Sequence, residues 1–148
     1  MPPERLSQWI TGSMNGYIDE RVKAGESLAA ARANAERSLL EYFPGGRPAP
    51  HHLVFDLMLN GARAGYLWIG PSAADGRAWW VYDIEVDESL RGQGLGRQAM
   101  QLAEQEARQR GATSLGLNVF GHNESARRLY EKLGYETTSI QMRKLLTD

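Results

Sequence analysis

Arg91-Gly92-Gln93-Gly94-Leu95-Gly96-Arg97 sets alternate glycines between two cations, after an apolar run from Trp79 to Val86 and before a helix-like run from Leu95 to Arg110. Glycines at a strand-to-helix junction let the backbone approach a ligand closely. The free N–H groups of the helix's first turn then point at it, and the helix dipole favours negative charge there. The chemistry this stretch could do is to cradle a pyrophosphate. Upstream, Asp83 and Glu85 sit two residues apart on one strand face. A carboxylate inside an apolar run is pushed toward a higher pKa by burial, and a paired carboxylate reinforces that shift. Both could equally well accept hydrogen bonds from strand or loop neighbours.

The glycine loop has three nucleotide-type readings and one plain one. A P-loop ends in Gly-Lys-Ser or Gly-Lys-Thr, whereas Gly96 is followed by Arg97 and Gln98. A dinucleotide fingerprint places its third glycine three positions after the second, and from Gly94 that position is Arg97. The third reading is a pyrophosphate-bearing ligand of another kind. The plain reading is a tight turn with a solvated basic edge.

The elements that must position these residues follow from periodicity. Leu6, Trp9, Ile10, Met14, Tyr17 and Ile18 recur at helical spacing, and a second helix is predicted from Ser27 to about Tyr42. Pro44-Gly45-Gly46-Arg47-Pro48 stops it. His52 to Leu59 and Ala64 to Ile69 read as strands joined by an Asn60-Gly61 hairpin turn. Ala78 to Val86 shows little alternation, which predicts a central strand buried on both faces. Ser114 to Phe120 reads as a strand. Asn123 is placed to cap a helix running to about Leu133, with Gly134 just past its end, and Tyr135 to Leu145 reads as a last strand. The order α-α-β-β-β-α-β-α-β predicts a mixed α/β domain around one sheet, spanning residues 1–148 as a single domain.

Bulk properties exclude several classes. With 148 residues the chain suits one domain with a real core. A net charge of -1 argues against general nucleic-acid binding. The absence of cysteine excludes disulfides, thiolate metal sites and a catalytic thiol. No apolar run reaches membrane-span length, and the first residues lack a signal-peptide core, so no membrane association and a cytoplasmic location are expected. His51-His52 and His122 come without a carboxylate cluster, and adjacent strand residues point to opposite faces, so no metal site is expected.

Arg91-x-x-Gly94-x-Gly96 resembles the pyrophosphate-binding motif of the GNAT superfamily of acyl-CoA-dependent N-acetyltransferases. A second block, Leu117 to Tyr135, resembles the family's strand–Asn–helix–Tyr–Gly-aromatic segment. The two blocks follow the family's order and spacing, and the resemblance is specific from about Trp79 to Leu145. The fold it implies is a mixed sheet flanked by helices. The family's opening strand is not visible, since only five residues precede Leu6. The sheet edge is then bare, paired with another chain, or short of a strand because the start is misplaced; an incomplete sheet favours a homodimer. Residues 135–145 hardly suffice for the two final strands common in the family.

The resemblance implies acetyl-CoA as acyl donor and an amine as acceptor, a small molecule or a protein amine. It places the donor along the backbone of Ile84, Glu85 and Val86, with its pyrophosphate on Arg91, Gly92, Gln93, Gly94, Leu95, Gly96 and Arg97. Arg97 also reads as a solvated helix residue. Asn123 is a helix cap and, by family position, a neighbour of the pantetheine arm. Tyr130 lies two helical turns on and reads from spacing alone as a packed core tyrosine. The family position makes it a cofactor contact and the general acid for the departing thiolate. Transfer also requires a neutral amine, whose ammonium form has a pKa of about 10, so a base is needed. Glu85 is the candidate, and Asn118, where some relatives carry a glutamate, cannot accept a proton. Trp79 and Trp80 face opposite ways, one to the core. The implied function is direct N-acetyl transfer in a ternary complex. The alternative is a non-catalytic acyl-CoA-binding sensor or subunit.

Overall fold

The computed structural model describes residues 1–147. The chain forms two compact units, Met1–Leu117 and the stretch beginning at Asn118.

In the first unit, α1 (Pro3–Lys23) starts with proline in its first turn and ends with Arg21 and Lys23 in its last, as the helix dipole favours. The Ser27 hydroxyl caps α2 (Leu28–Tyr42), accepting from the Ala30 amide at 3.1 Å. Strands β1 (Leu53–Leu59) and β2 (Ala62–Pro71) form the predicted hairpin. Asn60 (φ 52) and Gly61 (φ 81) both adopt the positive φ that this turn requires. Strand β3 (Ala78–Val86), helix α3 (Leu95–Gln109) and β4 (Ser114–Leu117) complete the unit.

The sheet has the order β1-β2-β3-β4, antiparallel except for the parallel β3–β4 pair. No strand precedes α1 among the described residues, and β1 is an edge. Beside that edge Arg5 of α1 donates twice to the Asp56 carboxylate, at 2.9 and 3.0 Å.

One face of the sheet carries an aromatic core against α1 and α2. Trp9, Phe43 and Trp68 pack edge to face or tilted within 5.8 Å of one another, with Leu6, Ile10 and Val54 around them. The other face buries Leu67, Ile69, Trp79 and Val81 together with Ala99, Met100 and Ala103 of α3. Trp79 is therefore the core tryptophan of the Trp79-Trp80 pair.

Strand β3 departs from the prediction in an informative way. It lies inside the sheet, yet only Trp79 and Val81 are fully buried. Trp68 pairs with Asp83 while Ile69 pairs with Val81, so Tyr82 is an extra residue. This bulge puts Tyr82 and Asp83 on the same face, Tyr82 stacked 4.8 Å from Trp68. The missing alternation in the sequence is the trace of the bulge, rather than of burial on both faces.

In the second unit α4 (Glu124–Lys132) is capped by Asn123, whose side-chain oxygen accepts from the Ala126 amide at 3.2 Å. Gly134 (φ 97) ends it. The predicted strands are shorter or absent here. Strand β4 stops at Leu117 rather than Phe120, and Tyr135 to Leu145 forms no strand among the described residues. Ile140, Met142 and Leu145 are exposed. Their apolar spacing satisfies the local pattern of a strand, but a strand also needs a hydrogen-bonding neighbour.

Candidate functional site

Three features of the first unit meet along β3. The first is an open strand edge. Strands β3 and β4 pair only from Ala78↔Ser114 to Val81↔Leu117, so the rest of β3, including Ile84, Glu85 and Val86, has no β4 partner. On its other side β3 stays paired with β2 out to Gly65↔Val86. Apart from the Val86 carbonyl, which accepts from Arg91 Nε, backbone groups on the open side have no β4 partner and are left to water or a ligand.

The second feature is the glycine loop that follows β3. A 3-10 turn at Glu88–Leu90 leads into it. Gly92 (φ 80) and Gly94 (φ 79) lie in the left-handed region that favours glycine. Gly94 is the N-cap of α3 and offers no side chain to its first turn. The amides of Leu95, Gly96 and Arg97 therefore carry the unsatisfied donors of a helix start. Arg91, Gly92, Gln93, Gly94 and Arg97 are exposed. Arg91 folds back, its Nε donating to the Val86 carbonyl at 3.0 Å, which ties the loop to the open end of β3.

The third feature is a carboxylate pair on the α1 face of β3. Cross-strand register sets Tyr66 opposite Glu85. The Tyr66 hydroxyl lies 3.1 Å from Asp83 Oδ2 and 3.1 Å from Glu85 Oε2. Glu85 is exposed and Asp83 is half-buried. Burial pushes the Asp83 carboxyl up to about 6; the Tyr66 hydrogen bond opposes the rise, and the negative charges of Glu85 and of Glu20 on α1 add to it. Burial and the two carboxylates hold the Tyr66 phenol far above its ordinary range. The Trp9 ring covers it from α1 at 5.5 Å. Sequence reasoning picked out Asp83 and Glu85 and missed Tyr66, which read as an ordinary strand aromatic. Its signal is the β2–β3 register, which pairs it with Glu85.

Asn123 and Tyr130 belong to the second unit. The Asn123 side chain is engaged as the helix cap. Tyr130 packs edge-on to Tyr135 at 6.0 Å, and burial raises its phenol pKa, keeping it protonated at neutral pH. Neither His52 nor His122 belongs to a metal-type cluster among the described residues. His52 Nδ1 accepts from Trp68 Nε1 at 3.1 Å, and burial lowers its pKa. No helix among the described residues is long and apolar enough to cross a membrane.

The model of the Acetyltransferase (GNAT) family matches residues 18–135. The chain belongs to the GNAT family of acetyltransferases. Two curated Bacillus subtilis (strain 168) relatives, the uncharacterized N-acetyltransferases YycN and YdgE, are 35% and 37% identical to it. The YycN alignment covers 99% of this chain and 96% of YycN, and the YdgE alignment 99% and 95%. The crystal structure of the YycN protein superposes with a TM-score of 0.85 at 34% identity, covering 100% of this chain and 96% of the other. The GNAT fold expected from the two motif blocks is thereby established for this chain.

Proposed function

We propose that this GNAT protein transfers acetyl from acetyl-CoA directly to a primary amine, with residues 1–148 acting as one catalytic domain. The observation that carries the reading is the juxtaposition of an unpaired β3 edge with a glycine-capped helix start. An extended acyl arm can lie along the open edge of β3 at Ile84 to Val86 as a further strand would. Its pyrophosphate then meets the amides of Gly92 to Arg97, where the helix dipole favours negative charge. The family match, which runs across the Leu117–Asn118 boundary, supports the single-domain reading.

Glu85 accepts the amine proton in this scheme. It stands on the strand that bears the donor and next to a second carboxylate. The neutral amine nitrogen attacks the thioester carbon, the C–S bond breaks, the thiolate takes a proton from Tyr130, and the second proton lost by the acylated nitrogen restores the Tyr130 phenol. A phenol held protonated by burial suits that role. With no cysteine in the chain, direct transfer is the route favoured over a thioester intermediate on the enzyme. Asn123 remains a candidate contact for the pantetheine arm, the protein is assigned to the cytoplasm, and the β1 edge leaves room for a homodimer.

The test is release of free CoA from acetyl-CoA across a panel of alkyl amines, diamines, amino acids and peptides with free N-termini. The scheme predicts amine-dependent release, and at least about ten-fold lower kcat in Tyr130→Phe with unchanged acetyl-CoA affinity. Tight acetyl-CoA binding with no release against any amine would favour the sensor alternative. Wild-type turnover by Tyr130→Phe would remove the tyrosine from the mechanism.

A further inference from the structure

Tyr66 touches both carboxylates of the pair, and one phenol cannot donate to two acceptors at once. We propose that Tyr66, Asp83 and Glu85 hold one proton in common and pass it between the two carboxylates through the Tyr66 hydroxyl, so that a proton taken up by Glu85 can be held on Asp83 and return to solvent through Glu85. This rests on the proton-acceptor role assigned above to Glu85.

A phenol carries one hydrogen and accepts on its lone pairs. With both carboxylates ionised, the Tyr66 hydroxyl donates to one and turns lone pairs toward the other, 3.1 Å away. With one proton on the pair, the protonated carboxyl donates to the phenol oxygen, and the phenol donates to the remaining carboxylate. Both 3.1 Å contacts are then hydrogen bonds, and the like-charge repulsion along the strand face is removed. Transfer in either direction breaks one carboxyl O–H bond and the phenol O–H bond as a new phenol O–H and a new carboxyl O–H form. Tyr66 begins and ends neutral, and one proton has moved.

The fold supplies each element of this arrangement. The regular β2–β3 register sets Tyr66 opposite Glu85 and Trp68 opposite Asp83, so both carboxylates lie on one face of β3. The two carboxylates differ in exposure, Asp83 half-buried and Glu85 open to water, so one end of the path can discharge to solvent. The groups facing the set are Glu20 and the Trp9 ring from α1, and the Ile84 amide, which hydrogen-bonds Asp83. Glu20 adds negative charge and so favours retention of a shared proton near Asp83.

The experiment follows the Asp83 side-chain carboxyl by 13C NMR through a pH titration of the full chain, in wild type, Glu85→Gln and Tyr66→Phe. The proposal predicts a broadened, coupled curve in wild type. In Glu85→Gln the curve should become a simple single-site curve with its midpoint lowered by roughly one pH unit, as expected for groups that titrate together. In Tyr66→Phe the midpoint should fall, because the one-proton state loses two hydrogen bonds and the fully ionised state only one, whereas a phenol that merely donated to Asp83 would leave the midpoint raised on its removal. A wild-type curve that is already single-site and does not move in Glu85→Gln would overturn the proposal. Glu85 is exposed, so that variant keeps the test open even where Tyr66→Phe fails to fold. Neither acetyl-CoA nor acceptor is needed, so an enzyme that turns over an amine while Asp83 titrates alone would reject the relay and leave the transferase assignment standing.

Discussion

Val81 and Leu117 form the last residue pair between β3 and β4. Past that point β3 continues to Val86 while β4 has ended. One strand thus serves two purposes along its length: its first half is locked into the sheet on both sides, and its second half is held only by β2. In that second half the rigid β2 side fixes Asp83 and Glu85, and the open side leaves backbone groups for a ligand.

That rigid side depends on close approach at Gly65. A Cβ built there would come within 2.0 Å of the Glu85 carbonyl oxygen. Gly65→Ala must push β2 away from β3, and a loss of about 1–3 kcal/mol is expected. Chemical denaturation measures it. A variant as stable as wild type would show that the strands yield at this point without cost.

Asp83 should leave a signature in the pH dependence of stability. Burial pushes its carboxyl up to about 6 in the fold from an ordinary 3.8, so between these values the folded chain binds more protons than the unfolded one. The contribution is fully present below about pH 4 and is lost as pH rises through about 6. Asp83→Asn does not titrate, so its stability relative to wild type should climb across that window and level off above it. The gain should be roughly 1–2 kcal/mol after discounting for partial exposure. Urea unfolding at several pH values decides the matter, and a pH-independent difference would contradict the assignment.

Gly94 separates backbone strain from ligand blockage. Its φ of 79 costs most residues about 1–2 kcal/mol, while asparagine tolerates that region. Gly94→Asn should therefore fold nearly as well as wild type yet bind acetyl-CoA about ten-fold more weakly by calorimetry. Gly94→Glu should lose more, through added charge. A folded Gly94→Glu with full affinity would take the pyrophosphate away from this loop.

Much of this was legible in the sequence wherever the signal is local. Ser27 and Asn123 cap helices as their type and position indicate, Asn60-Gly61 makes the hairpin, and Gly94 opens α3. What was not legible depends on register. The Tyr82 bulge is a mismatch between two strands and leaves only an absence of alternation in the sequence. The Tyr66 bridge follows from which residue of β2 faces Glu85, which no spacing along the chain encodes. The stretch from Tyr135 to Leu145 misled for the same reason, since its apolar spacing meets the local requirement for a strand and says nothing about a pairing partner.

The central claim is that acetyl-CoA lies along the open half of β3 with its pyrophosphate on the start of α3. Amide 15N–1H NMR of the full chain, titrated with acetyl-CoA, tests it residue by residue. The account predicts saturable shifts concentrated at Ile84, Glu85 and Val86 and at Gly92 to Arg97, with the amides of β1 little changed. Saturable shifts that leave both segments untouched, or none at millimolar acetyl-CoA, would contradict it.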